Sequence, residues 1–386
     1  MFKVNTSSLY AAFDIFPSSK GAATHIHHFL TAHQDFFAEK GVWLHCLADE
    51  NYPLWQQENQ VTVTRFAPTT TNFLSRTGEY AQYFSQLLHK NTNLELCHFR
   101  DIWSGLPILQ TKPTTPKIFE VNALSSVELP FRYSLNSSTI NKLQELEKIC
   151  LTESQTIVVP SVVLQKYLIQ NGVSQSKIFV IPNGADIPPV LAKPSESPEN
   201  YIMYFGALQS WQGVDVLLKA FAQLKDKENL YLVIASAVKE KFTKNFHKLA
   251  EKLQIQDKIC WLYQLNKSNL AAWLQHALLT VAPLTECNRN LQQGCCPLKI
   301  IESMACGVPV VASDMPVTRE LIRHAEDGYL VRADRPFELG RSLRILLEEK
   351  VWRENLGTAA KQKIVQNFTW ELQNKKLKEV FALAIK

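Results

Sequence analysis

The chain has 386 residues, enough for two or three domains, and its 46% hydrophobic and 20% charged residues exclude an intrinsically disordered protein. Lysine and arginine exceed aspartate and glutamate by 41 − 36 = 5, yet no dense basic block occurs, so no nucleic-acid partner is expected. The modest positive excess fits anionic small molecules or an anionic membrane surface.

Short apolar runs, many rich in β-branched and aromatic residues, alternate with helical patterns along the chain. In the first half we predict strands at residues 9–13, 42–47, 61–65, 118–121, 156–159 and 178–181. In the second half we predict strands at residues 201–205, 230–235, 258–262, 279–282 and 308–312, and an amphipathic helix at 214–224. This alternation predicts an α/β fold with parallel sheets. The proline-rich residues 186–200 predict a linker between two domains.

The eight cysteines lack the spacing of a disulfide framework or a zinc site. No further cysteine or histidine stands at zinc-site spacing from the adjacent Cys295 and Cys296, so we expect free thiols and no metal. His25 belongs to a group of histidines at a predicted helix start. These side chains could bind a metal ion, or they could simply be solvated or cap the helix. Asp14 interrupts the N-terminal apolar run and no run reaches 18 residues, so a cytoplasmic protein with peripheral membrane contact at most is expected.

The most informative segment spans residues 279–330. A strand ends near Pro283, a polar loop follows, and a helix is predicted at 297–306, with Pro297 as its first residue and Gly307 just past its end. The N-terminus of a helix binds anions, and Lys299 adds a positive charge in its first turn. Glu302 lies on the same face and could accept hydrogen bonds from a ribose. The alternative is a buried helix with a Lys–Glu surface pair.

Several motifs then resemble one family in order along the chain. GCCPLKIIESMACGVPVVASD is similar to the donor-site motif of family 4 glycosyltransferases, in a variant subgroup with PLK in the donor-site helix. PSSKGAATHIHHFL, IFVIPNGAD, YFGALQSWQGVDVLLKAF and FTWE resemble the family's glycine loop, its interdomain motif, the start of its C-terminal domain and its terminal helix. The resemblance implies a GT-B fold, in which two Rossmann-like domains face a cleft.

The resemblance also implies an organisation and an activity. Residues 1–186 would form the acceptor-side domain, 187–366 the nucleotide-sugar domain, and 367–386 a helix that packs back on the N-terminal domain. The implied reaction is transfer of a sugar, with retained anomeric configuration, from a nucleotide-diphosphate sugar to a hydroxyl of a glycan or lipid-linked acceptor. No metal or other cofactor is implied, because helix amides and cationic side chains stabilise the leaving diphosphate.

Site residues follow from the same resemblance. The expected catalytic residues are Lys299, Glu302 and Asn122. The expected donor-binding residues, in addition to Lys299 and Glu302, are Gly21, Arg289, Gly294, Cys295, Cys296, Pro297 and Leu298. The expected acceptor-side residues are His25, His98 and Arg100.

Three positions depart from the family pattern. Gly294 stands where the family has the first glutamate of its E-x7-E motif, and Ala207 and Gln212 stand where it has an arginine and a lysine. We expect Lys299 and Arg289 to take over from the missing cations. The departures also keep open a non-catalytic GT-B protein that binds a sugar or nucleotide, while a GT-B nucleotide-sugar epimerase is a further alternative.

Overall fold

The structure is a computed structural model that describes residues 6–91 and 93–386. Its contacts divide the chain into two compact units, each built around a predominantly parallel sheet with helices. The first unit comprises Met1–Ser18, Ala22–Pro182 and Gln373–Lys386, and the second comprises Ser19–Gly21 and Asn183–Leu372. The C-terminal helix therefore crosses back into the first unit.

The first unit contains an eight-stranded sheet in the order β3-β4-β2-β1-β5-β6-β7-β8. Its strands are β1 (Ser8–Ile15), β2 (Val42–Leu47), β3 (Trp55–Glu58), β4 (Val61–Phe66), β5 (Leu96–Phe99), β6 (Lys117–Glu120), β7 (Thr156–Val159) and β8 (Ile178–Val180). Its helices are α1 (Gly21–Phe36), α2 (Phe73–Lys90), α3 (Ile102–Thr111), α4 (Ser125–Glu128), α5 (Ser137–Glu153) and α6 (Val162–Gln170), joined by most of α14 (Trp370–Ala384). Among the strands that the structure describes in this sheet, only the edge strand β3 pairs antiparallel.

The central strands of this sheet are buried because helices cover both faces, as parallel sheets require. All six residues of β2 and of β4 are buried. Trp43, Tyr80 and Phe84 pack among the largest buried side chains of this core. On α14, Phe381 is fully buried, and its ring centroid lies 4.3 Å from that of His33, which fixes the terminal helix to α1.

The second unit contains a six-stranded parallel sheet in the order β11-β10-β9-β12-β13-β14. Its strands are β9 (Asn200–Phe205), β10 (Leu230–Ser236), β11 (Ile259–Tyr263), β12 (Leu279–Ala282), β13 (Val310–Ser313) and β14 (Tyr329–Val331). Its helices are α7 (Val214–Phe221), α8 (Lys244–Lys252), α9 (Lys267–Gln275), α10 (Leu298–Ala305), α11 (Pro316–Arg319), α12 (Pro336–Glu348) and α13 (Lys350–Asn367). A buried cluster that includes Ile300, Ile301 and Met304 anchors one side of α10.

The predicted α/β fold is confirmed, and most predicted strands lie within one or two residues of the observed ones. The helix predicted from Pro297 begins one residue later, because Pro297 has an extended backbone and precedes the first helical residue. The units divide after Pro182 rather than at 186. Asn183 and Asp186 belong to the second unit because they bond to its residues Cys296 and Lys267.

Candidate functional site

The predicted donor segment begins with an unusual turn after β12. A five-residue π-helical turn, Arg289–Gln293, leads into Gly294, whose backbone has φ 70° and ψ −176°. This combination is accessible almost only to glycine, because a Cβ would clash with the backbone. Glycine at 294 therefore allows the chain to turn from the π-helical segment towards α10, and a glutamate would be strained there.

The first turn of α10 presents unpaired amide groups. The amides of Leu298 and Lys299 donate hydrogen bonds to none of the described residues. The preceding loop is fixed because the buried Asn183 side chain donates a 2.7 Å hydrogen bond from Nδ2 to the Cys296 carbonyl. Cys296 is itself buried, and burial raises the pKa of its thiol well above the usual range. The arrangement leaves a positive helix end with amides available to an anion.

Lys299 places its ammonium group beside the end of β9. Its Nζ donates to the Tyr204 hydroxyl at 2.9 Å and to Gln212 Oε1 at 2.6 Å, and it lies 4.0 Å from the centroid of the Tyr204 ring. The pKa of Lys299 is lowered to about 7, chiefly by burial; Cys295 opposes this shift, and the nearby Arg289 adds to it. Gln212, one of the departures from the family pattern, is thus a direct partner of Lys299.

Arg289 supplies a second cation on the same side of the unit. Its guanidinium lies 4.9 Å from the centroid of the Trp211 ring, and Nη1 donates to Asn290 Oδ1 at 3.1 Å. Its Nε is buried and has no hydrogen-bond partner among the described residues. A buried N–H without a partner is costly, and an anionic ligand would satisfy it.

Glu302 lies one turn after Lys299, on the same face of α10. Its carboxylate accepts no hydrogen bond and forms no ion pair with any described residue, although the side chain is largely buried. Burial raises the pKa of Glu302 to about 7, while Lys267 lowers it and Asp186 raises it. A carboxylate in this state is suited to accept hydrogen bonds from ligand hydroxyls.

Gly21 is the first residue of α1, but its contacts group it with the second unit. A Cβ at this position would lie 3.1 Å from Leu298 Cδ1, at the beginning of α10. The predicted donor-side residues Gly21 and Leu298 are therefore neighbours in the structure.

The first unit gathers the other predicted residues around a carboxylate that the sequence analysis missed. Glu120, at the end of β6, is 2% exposed. Tyr10 donates to its Oε2 at 2.8 Å, Arg100 Nε donates to its Oε1 at 2.8 Å, and His25 Nε2 lies 2.8 Å from Oε1. Asn122 Nδ2 also donates to Oε1. We call these five residues the Glu120 cluster.

Ionisation of Glu120 is favoured despite its depth. Burial alone would raise its pKa, but His25 and Arg100 outweigh burial, so the pKa of the carboxyl lies well below its usual range. Arg100 also reaches the half-exposed Asp14, with Nη1 3.2 Å from Oδ2. A charged carboxylate thus holds the predicted residues His25, Arg100 and Asn122 together at the carboxyl ends of β1, β5 and β6.

His98 lies behind this cluster and does not reach the surface. It is fully buried, and burial lowers its pKa to about 4 although Glu120 opposes that shift. Its Nδ1 lies 2.9 Å from Nε2 of His33, whose Nδ1 is 2.7 Å from the Ser8 hydroxyl. His98 therefore supports the Glu120 cluster from within the core.

One signal in the sequence could have identified a missed residue. Glu120 is a carboxylate inside the apolar strand KIFE, where a charge requires partners. The contact between Gln212 and Lys299 joins residues 87 positions apart and carries no local signal.

Among the described residues, no group of three or more histidine, cysteine, aspartate or glutamate side chains could hold a metal ion. None of the described helices is both long and apolar enough to cross a membrane.

Comparison with protein families assigns both halves of the chain. A model for Glycosyltransferase Family 4 matches residues 19–187, and a model for Glycosyl transferases group 1 matches residues 191–363. The chain is a glycosyltransferase family 4-like protein. Both matched domains are those of glycosyltransferase enzymes.

Curated relatives of this family 4-like chain are distant. An uncharacterized glycosyltransferase of Methanocaldococcus jannaschii is 24% identical over 261 residues, which cover 64% of this chain and 64% of the relative. The matches span between 46% and 64% of the length of the first curated relatives.

Solved structures agree over nearly the whole chain and identify the GT-B fold. A sucrose-phosphate synthase from Thermosynechococcus elongatus superposes with a TM-score of 0.81 at 18% identity and covers 98% of both chains. Anabaena HepE, crystallised with UDP-glucose, superposes with a TM-score of 0.75 at 18% identity, covering 97% of this chain and 99% of its own. At these identities the likeness establishes the fold alone.

Proposed function

We propose that this protein transfers a sugar from a nucleoside diphosphate sugar to a hydroxyl of a glycan or lipid-linked acceptor, with retention of anomeric configuration. The observation that carries the proposal is the face of α10. It combines unpaired amides, the Lys299 cation without a carboxylate partner, and the partly buried Glu302 carboxylate without a hydrogen bond. These groups match a diphosphate and the hydroxyls of the ribose attached to it.

The donor would bind to the second unit. Its diphosphate would accept hydrogen bonds from the amides of Leu298 and Lys299, from the Lys299 ammonium and from Arg289 Nε. Its ribose hydroxyls would donate to Glu302. Anabaena HepE has been crystallised with UDP-glucose and with UDP, which supports a nucleotide ligand for this fold.

Bond cleavage between the sugar and the diphosphate places negative charge on the departing oxygen. Preorganised amides and cations stabilise that charge more strongly than water would, because they need not reorient during the reaction. The acceptor hydroxyl attacks from the face that the diphosphate leaves, and a diphosphate oxygen takes its proton. This path gives retention and requires no nucleophile from the protein. We propose that Lys299 and Arg289 make a metal ion unnecessary, so transfer should persist in EDTA.

The acceptor would be bound by the first unit, where the Glu120 cluster holds Arg100, His25 and Asn122 in fixed positions. Asn122 and the half-exposed Asp14 offer hydrogen-bonding groups to a polyhydroxylated acceptor. Contact with an anionic membrane surface stays a prediction, and co-sedimentation with phosphatidylglycerol vesicles tests it.

The first test is a thermal-shift screen with UDP, GDP, ADP and their common sugar conjugates, on the wild type and Glu302→Ala. A ligand at 100 times its dissociation constant stabilises the folded protein by about 2.7 kcal/mol. We expect one base to be preferred and its stabilisation to be reduced in the variant. No stabilisation by any nucleotide would refute a donor site.

A second measurement separates transfer from binding alone. Consumption of the preferred nucleotide sugar with a panel of glycan and lipid acceptors is followed by NMR, which also reports the anomeric configuration of the product. Binding without consumption under all acceptor conditions would favour the non-catalytic alternative, and an inverted product would contradict retention.

A further inference from the structure

The surroundings of the Lys299 ammonium are unusual for a partly buried cation. Both of its hydrogen-bond acceptors, the Tyr204 hydroxyl and Gln212 Oε1, are neutral, and no described carboxylate forms an ion pair with it. Tyr204 is the penultimate residue of β9, and burial keeps the pKa of its phenol far above the usual range, so the phenol carries no negative charge. A partly buried cation that is only hydrogen-bonded lacks the compensation that a counter-charge provides.

The titratable and charged groups that face Lys299 come from three neighbouring segments. Arg289, in the π-helical turn, repels the ammonium, and Cys295, in the following loop, attracts it when ionised. Tyr204 faces it from β9 as a neutral group. On its own helix, Glu302 is coupled instead to Lys267 and Asp186. Without a ligand, this environment favours the neutral amine, and the pKa of Lys299 is lowered to about 7.

We propose that Tyr204 and Gln212 are positioning residues that hold Lys299 without a counter-charge, so that the diphosphate of a bound nucleotide supplies that charge and its binding transfers a proton from solvent to Lys299. The inference rests on the proposed function, because it assumes that the diphosphate binds at the N-terminus of α10. It adds the role of Gln212, which replaces a cation of the family pattern, and a dependence of nucleotide affinity on pH.

The physical step is a single protonation. Water or buffer gives up one proton, the Nζ lone pair takes it, and the ammonium is then stabilised by the phosphate oxygens. Gln212 fits this role because its oxygen accepts a hydrogen bond while its charge stays zero. Tyr204 contributes a second acceptor and the negative face of its ring.

Isothermal titration calorimetry with UDP tests the inference in buffers of different ionisation enthalpy. At pH 8 the free amine with a pKa of about 7 is about one-tenth protonated, and UDP is fully ionised. We expect an uptake of about 0.8 proton per UDP, after allowing about 0.1 for release from Glu302. Affinity for UDP should fall about 20-fold from pH 7.5 to 9.

Variants separate the contribution of each residue. Lys299→Arg keeps the charge at every pH, so it should bind UDP with no proton uptake. Gln212→Glu gives Lys299 a counter-charge, so uptake and most of the pH dependence should disappear. Tyr204→Phe removes one acceptor of the ammonium and should weaken UDP binding at pH 8. Gln362→Glu is the matched control, since the same change on the exposed face of α13 should leave the wild-type behaviour intact.

The outcomes distinguish the two proposals. Proton uptake that is lost in Lys299→Arg and Gln212→Glu but kept in Gln362→Glu supports the inference. Tight binding of UDP by the wild type without uptake at pH 8 would overturn the inference and leave the proposed function intact. Absence of binding by UDP, GDP and ADP would overturn the donor site itself. If Gln212→Glu does not fold, wild type and Lys299→Arg alone still decide between uptake and no uptake.

Discussion

Replacement of Glu302 by glutamine should weaken nucleotide binding while it stabilises the free protein. The raised pKa of about 7 means that the folded state disfavours the ionised carboxylate, so stability is lost as pH rises from about 4.5 through about 7. A shift of about 2.5 pKa units corresponds to at most about 3 kcal/mol at pH 8, and to less than about 1 kcal/mol at pH 5. Urea denaturation of Glu302→Gln should therefore show a gain in the free energy of unfolding that is large at pH 8 and small at pH 5.

Nucleotide affinity should change in the opposite direction. A hydrogen bond to a charged group contributes about 1.5–3 kcal/mol, so loss of the carboxylate should weaken UDP binding about 10- to 100-fold. The ribose assignment is tested by a double-mutant cycle that combines Glu302→Gln with 2′-deoxy- and 3′-deoxy-UDP. If Glu302 accepts from a ribose hydroxyl, removal of that hydroxyl should cost wild type much more than it costs the variant.

The control is Glu354→Gln, which makes the same change on an exposed side chain of α13. Glu354→Gln should not increase the free energy of unfolding. It should also show no coupling to the removal of a ribose hydroxyl. Strictly additive effects of Glu302→Gln and of both deoxy substitutions would refute the ribose role. A loss of stability at pH 8 would refute the view that Glu302 is a strained, unpartnered carboxylate in the free protein.

Three further predictions concern the scaffold. Gly213→Ala should lose more than about 3 kcal/mol of unfolding free energy, because φ is 67° and the added Cβ would lie 1.7 Å from a backbone carbonyl oxygen. Gly78→Ala lies within helix α2, where nothing crowds the added Cβ, and should gain about 0.5–1 kcal/mol. Urea denaturation measures both changes. Glu120→Ala should cost about 3–5 kcal/mol because it leaves Arg100 buried without its main partner, and thermal unfolding with calorimetry checks this value. Burial lowers the pKa of His45 to about 3, so the unfolded state binds more protons below pH 6.5 and the free energy of unfolding falls as the pH is lowered. His45→Phe should reduce this pH dependence by about 1.4 kcal/mol per pH unit between pH 6 and 4.5. An unchanged slope would contradict this prediction.

The fold was predictable because most elements carry a strong local pattern. Strands β2, β7 and β12 occur at the predicted residues, since each is a short, fully buried apolar run. β3, with the sequence WQQE, and the three-residue β14, with the sequence YLV, lie at the edges of their sheets. β3 is mostly polar, and β14 is too short to show a periodic pattern. Their pairing depends on a neighbouring strand rather than on their own residues, so local periodicity does not reveal them.

The two parts of the site differ in the same way. The α10 segment was predictable because its helix start, Lys299 and Glu302 are close together in the sequence. The Glu120 cluster joins Tyr10, His25, Arg100 and Asn122 from four segments, and only the order of strands in the sheet brings them together. His98 lies near this group, and its complete burial depends on packing against His33 and Phe381, which are remote in sequence.

The departures from the family pattern are consistent with one another when the contacts of Lys299 are considered. Gln212 Oε1 lies 2.6 Å from Lys299 Nζ, so a lysine at 212 would bring two ammonium groups against each other without a carboxylate to compensate them. A lysine at 299 therefore favours a neutral acceptor at 212, and the two positions should be exchanged together rather than singly. Position 294 is restricted by its backbone, whose conformation admits glycine and directs the loop towards α10. The changes at 212 and 294 thus describe a site rebuilt around Lys299, and this makes the loss of the usual cations compatible with diphosphate binding.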